Sequence, residues 1–338
     1  MLILSLAACT LITEHAIAVK VGMGSALDSA GFDSGGDTSL SGDSSRDSVA
    51  DSGSDADTDT DSDSDTDTDT DTDTDSGFAP APTDYTATNG SQMIGVPAGS
   101  FEMGCKTGRD DLDTVCATEE NLHNVSLTRS LWIGETEITR AEWDADTVDH
   151  AGWGYYADAC SPTGSCPANM LSWQDAAKYA NWLSEQEGLE DCYAVDGLAA
   201  VDEADPSDCR GYRMPTEAEW EYAARGATDD EYSGSDVVGD VAWYAGSSSH
   251  VVSTKVPNAW TLYDLSGNEG EWGSDAWDGM TAYPGDATNP VGTGGSGRVV
   301  RGGCWGDGAL NERVAYRDDR PTTYQSNCIG LRLARTAP

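Results

Sequence analysis

Nine cysteines carry most of the chemistry available to this chain of 338 residues. Cys9 stands alone in an apolar N-terminus, and the other eight lie between Cys105 and Cys328. An even set of cysteines beside an export signal points to disulfides rather than free thiols. Pairing each cysteine with its neighbour gives Cys105–Cys116, Cys160–Cys166, Cys192–Cys209 and Cys304–Cys328, one of about a hundred possible connectivities. His123, His150 and His250 show no metal-ligand spacing. No nucleophile elbow and no phosphate-cradling glycine loop is present. Asp occupies every odd position from Asp55 to Asp75, alternating with Thr, Ser or Ala. Spaced carboxylates are hard-cation ligands, yet no turn glycine or closing Glu organises this run, so it reads as a solvated spacer.

Charge narrows the partners. Residues 1–84 hold 19 acidic and 2 basic side chains, and residues 85–338 hold 41 and 16, for a total of −42. Such a field repels phosphate backbones and argues against nucleic acid. Leu6-Ala7-Ala8-Cys9 has the form of a bacterial lipobox, in which the Cys is lipidated and anchors the protein to the membrane. Cleavage after Ala18, with release of a secreted protein, is the alternative. The expected organisation is a signal and lipobox region at 1–24, a disordered tether at 25–84 and a folded domain at 85–338. The expected location is the cell envelope, at the surface or in the periplasm.

The elements that must position any site are short. Thr216 and Glu219 form a capping box ahead of an apolar face at Trp220, Ala223 and Ala224, and Gly226 supplies the C-terminal stop. Ser172 caps a helix whose buried face is Trp173, Ala176, Ala177, Ala180 and Leu183, and Gly188 ends it. Thr139 and Glu142 make a third capping box before Trp143. Val125, Leu127, Leu131 and Ile133 read as one strand, and Arg298–Arg301 and Ile329–Arg335 as two more. Few elements and long loops rich in Gly, Asp and Ser indicate an α+β fold with sparse regular secondary structure, stapled by disulfides.

Four segments taken in order resemble the formylglycine-generating enzyme, or sulfatase-modifying factor, domain family. They are Ile94–Gly104, Gly211–Gly226, Pro257–Trp272, and Arg298–Trp305 followed by Gly330–Arg335. The resemblance implies a C-type-lectin-like fold over roughly Met93 to Arg335. It also implies copper(I) held by two thiols, but Asp307 and Glu312 stand where those thiols would be, and carboxylates are poor copper(I) ligands. Copper oxidase chemistry is therefore not expected. Cys304 and Cys328 are the weak catalytic candidates, as a displaced thiol pair, against the bland reading of a structural disulfide. No His set for iron precedes the domain, as it does in the related sulfoxide synthases, and whether iron binds stays open. A calcium site does carry over, with carboxylates from Asp264 and Glu271 and backbone carbonyls from Gly267 and Glu269. Gly270 departs from the bulky residue usual at its position. The expectation is an envelope lipoprotein displaying a calcium-stabilised binding or structural module for a protein or glycan ligand. The alternative is a divergent formylglycine-generating or non-heme metal oxidase.

Overall fold

Three capping boxes set where the main helices begin. Thr139, Ser172 and Thr216 each accept the backbone N–H three residues on, and Glu142, Asp175 and Glu219 reach back to the cap N–H. They start α1 (Arg140–Trp143), α2 (Trp173–Gln186) and α3 (Glu217–Arg225). A short α4 (Val238–Val241) follows. Gly226 closes α3 at φ 54°, ψ 34°, the left-handed conformation that glycine tolerates best. The computed structural model describes residues 79–110, 116–145, 159–196, 199–202 and 206–338; Cys9, the Asp run and His150 lie outside them. All the described residues belong to a unit spanning Asp71–Pro338.

The strands among the described residues are β1 (Tyr85–Thr86), β2 (Gln92–Val96), β3 (Gly99–Met103), β4 (His123–Leu127), β5 (Leu131–Gly134), β6 (Tyr193–Asp196), β7 (Ala199–Asp202), β8 (Gly270–Trp277), β9 (Ala287–Thr288), β10 (Gly297–Arg301), β11 (Asp318–Pro321), β12 (Ile329–Gly330) and β13 (Ala334–Thr336). Their sheets run β1-β2-β5-β13, β11-β10-β8-β12, β3-β4-β9 and β6-β7. The single strand expected over Val125–Ile133 is in fact two, β4 and β5, which turn into different sheets. Ile329–Arg335 divides likewise: β12 runs parallel to β8, while β13 pairs antiparallel with β5. The longest strand, β8, takes in Glu271 of the expected metal ligands, while Asp264, Gly267 and Glu269 precede it.

Two apolar cores fill the interior. One gathers on α2, where Trp173, Ala176, Ala177, Tyr179, Ala180 and Leu183 are fully buried against Met93, Leu331 and Leu333. The other gathers on α3, where Trp220 and Ala223 meet Val96, Val125 and Leu265. The four disulfides join Cys105–Cys116, Cys160–Cys166, Cys192–Cys209 and Cys304–Cys328, the neighbour pairing.

Apolar burial is joined by buried ion pairs. The Arg332 guanidinium donates to both oxygens of Glu271 and to the carbonyls of Gly134 and Tyr263, while Trp220 Nε1 donates to Glu271 Oε2 at 2.6 Å. One arginine thereby ties β5, β8 and α3 together. Removing one member of such a pair leaves an uncompensated charge in the interior, at a cost of about 3–5 kcal/mol. Arg332→Ala is accordingly expected to lose most of the domain's stability, measured as a collapse of the urea midpoint.

Candidate functional site

β8 organises the site. β10 lies antiparallel on one side of it, with Arg301 opposite Glu271, and β12 lies parallel on the other, with Gly330 opposite the same residue. The Cys304–Cys328 disulfide links the chain leaving β10 to the chain entering β12. Gly270, at the start of β8, donates its N–H to Cys328 O at 3.0 Å. A Cβ at Gly270 would come within 3.0 Å of Val300 and 3.2 Å of Cys328 O, so a bulky residue there would displace its neighbours. Together these residues wall a cleft of about 240 Å³, which Asp307, Tyr316, Arg320 and Tyr324 complete. Arg320 lies over the Tyr324 ring and pairs with Asp318 at 2.5 Å.

Behind the cleft lies Glu312, a fully buried carboxyl with no hydrogen-bond partner on either oxygen. Burial and the nearby Asp307 push it up to about 10. Asp307 is itself raised by partial burial. Gly303 makes this packing possible: it adopts φ 69°, and a Cβ there would fall 2.5 Å from Glu312 Oε2.

A second carboxyl group lies on the approach to β8. Asp264 Oδ2 accepts from Ser253 N–H at 2.7 Å, and Glu137 Oε1 accepts from Glu269 N–H at 3.3 Å. Asp264 Oδ1 and Glu137 Oε2 have no partner, and both residues are buried. Burial is the main cause raising both carboxyls. The charge of Asp264 adds to it at Glu137, whereas at Asp264 the Ser253 N–H opposes it, leaving that carboxyl at about 6. Two buried oxygens with nothing to bond are open to a proton, a water or a hard cation. The sequence reading missed Glu137, which stands three residues past β5 in Glu135-Thr136-Glu137-Ile138, where nothing local sets it apart from Glu135. Of the residues carried over from the family resemblance, Asp264 sits in this group and Glu269 reaches it through its N–H. Glu271 instead gives both oxygens to Arg332 and Trp220. The Glu269 carboxylate accepts from Asn169 at 3.0 Å.

The described histidines lie elsewhere. His123 lies tilted against the Tyr283 ring, and His250 stacks on Trp243 with ring centroids 3.7 Å apart.

This fold is that of a known domain class. The sulfatase-modifying factor enzyme 1-like domain model matches residues 79–337, and the chain belongs to that family. Among solved structures, Treponema denticola variable protein 1 is 32% identical with a TM-score of 0.62; the match covers 76% of this chain and all of that one. The chaperone protein LppX of Paenibacillus barcinonensis is 25% identical over 300 residues, 77% of this chain and 95% of that protein. The formylglycine-generating enzyme of Streptomyces coelicolor is 31% identical over 194 residues, and the match spans about half of each protein: 51% of this chain and 53% of the enzyme.

The isolated acid makes a prediction. Because the folded-state pKa of Glu312 lies above its unfolded value, the folded chain holds a proton that the unfolded chain releases. This group's contribution to stability therefore falls as pH rises from about 4 towards about 10. Glu312→Gln removes that dependence. The variant is expected to exceed the parent in stability by more than about 1 kcal/mol near pH 8 and to converge with it near pH 4, read from urea midpoints.

Proposed function

We propose that this protein is a cell-envelope display protein whose domain binds a partner rather than oxidising one. The observation that carries the reading is the cleft beside Cys304–Cys328. Asp307 lines it and Glu312 lies behind it, at the two positions where the family resemblance implies thiols, and the two nearest sulfurs are bonded to each other. This donor set does not fit copper(I), so no oxidative step is assigned to it. What the cleft does offer is polar and aromatic: Arg320, Asp318 and Tyr324, with Tyr324 41% exposed. Such surfaces suit a protein segment or a glycan. A lipid on Cys9 and the Asp-rich spacer would hold the domain away from the membrane. Among the described residues no helix is long and apolar enough to cross a bilayer.

Calcium fits the second carboxyl group. Asp264 and Glu137 would supply the charged oxygens, and the backbone around Gly267 and Glu269 would supply neutral ones. The ion would satisfy the oxygens that the protein leaves unbonded, fixing the loop that leads into β8. Millimolar calcium is expected to raise the melting temperature of the chelator-treated protein by several degrees, and Asp264→Asn together with Glu137→Gln to abolish the rise. In parallel, a sulfatase-motif peptide containing cysteine is expected to stay unoxidised after incubation with the copper-loaded chain. Formation of the aldehyde would replace the binding reading with that of a divergent oxidase. Calcium-insensitive melting would remove the ion from the account while leaving the cleft in place.

A further inference from the structure

One group of side chains is used by neither reading in a metal-binding role. The sulfurs of Cys304 and Cys328 and a carboxylate oxygen of Asp307 lie within 4.8 Å of one another. Among the described residues, no other group of three or more His, Cys, Asp or Glu side chains is so placed. We infer that reduction of the Cys304–Cys328 disulfide turns this trio into a binding site for a cation of intermediate softness, with zinc as the type.

The geometry supports it. Thiolates held tetrahedrally by zinc at about 2.3 Å stand about 3.7 Å apart. The two Cα atoms, 5.5 Å apart, bring both side chains to one point, so breaking the S–S bond lets the sulfurs separate within the space they already occupy. Asp307 is anchored for the third position, its N–H donating to Cys304 O at 2.9 Å and its carbonyl accepting from Ala245 N–H at 2.7 Å. Gly306 N–H points at Cys304 Sγ at 3.4 Å, a contact that favours the thiolate over the thiol. The fourth position opens onto the cleft of about 240 Å³, which gives access to reductant, metal and water.

The chemistry balances with an external dithiol. One thiolate of the reductant attacks a cysteine sulfur and forms a mixed disulfide. Its second thiol then closes the reductant into its own disulfide, and two electrons and two protons leave Cys304 and Cys328 as thiols. Zinc binding next releases those two protons to solvent as the sulfurs become ligands. This site shares no residue with the calcium group, so the two stand or fall separately.

The test uses the full chain, treated with dithiothreitol, freed of it under argon and titrated with zinc. Cadmium serves as a second probe through its ultraviolet thiolate absorption. Alkylation and mass spectrometry report which cysteines opened, and circular dichroism reports the fold. The expected result is one zinc per folded, reduced chain and none on the oxidised chain. Binding should weaken roughly tenfold or more in Asp307→Asn, which keeps both sulfurs, and disappear in the Cys304→Ser/Cys328→Ser double variant. The inference is overturned by zinc uptake without reduction, by undiminished uptake in the double variant, or by a reduced chain that takes up none. A Cys304–Cys328 bond that opens only with loss of the folded signal overturns it as well.

Discussion

The rest of the structure depends on three glutamates spaced two apart on one short helix. Glu217, Glu219 and Glu221 of α3 are all buried, and each is met by arginine. Arg317 takes both oxygens of Glu217 at 2.7 Å, and Arg213 takes both of Glu219 at 2.6 and 2.8 Å. Arg301 bridges Glu217 and Glu221, and Arg225 joins Glu221 to Asp110. Burial works against ionising Glu221, but Arg301 and Arg225 outweigh it and hold the carboxyl below its usual range. Desolvation makes such pairs a weak source of net stability. Their stronger effect is on uniqueness, since a misplaced strand would strand a charge in the interior. In a fold with strands of two to eight residues, long-range ion pairs specify an arrangement that short ladders cannot specify alone.

The same scaffold separates the acids that build the fold from the acids left for chemistry. Glu271 lies on β8 beside the cleft, yet Arg332 and Trp220 consume it. Asp264, Glu137 and Glu312 are just as buried and have no arginine on the oxygens that stay unbonded. Arginine thus satisfies Glu217, Glu219, Glu221 and Glu271, backbone N–H groups satisfy Asp275, and Asp264, Glu137 and Glu312 each keep an oxygen that neither reaches. The chain matches a formylglycine-generating enzyme over about half its length and variable protein 1 over all of it. The fold is what these matches share.

Local features were legible in the sequence because their determinants lie within a few residues. The Thr139, Ser172 and Thr216 caps, the Gly226 stop and the apolar face of α2 needed only periodicity and side-chain chemistry. The disulfides were legible for a related reason, since their separations of 6 to 24 residues make neighbours the partners. Strand pairing was not. β8 carries Gly270, Glu271, Ser274 and Asp275, types that argue against a buried strand until their partners are known. Ser274 bonds Met214 O, Asp275 receives Glu217 N–H, and Glu271 is met by Arg332, each more than 50 residues away in sequence. The break between β4 and β5 was hidden because both halves alternate correctly and only the sheet assignment differs. Glu137 escaped notice because its meaning rests on Asp264, 127 positions downstream.

The place of β13 has a consequence for how the chain is made. Ala334–Thr336 forms an edge of the sheet whose other edge is β1, and Arg332, just before it, completes the Glu271 pair. A ribosome releasing this chain from its N-terminal end delivers both closing pieces last. Until residues 329–336 emerge, Glu271 lacks its arginine and keeps only the Trp220 Nε1 hydrogen bond, and one side of β5 is unpaired. The β5 sheet and the Glu271 pair therefore close only once the last strand of the domain has been made. Docking of that strand is thus the step that completes both the sheet edge and the buried ion pair.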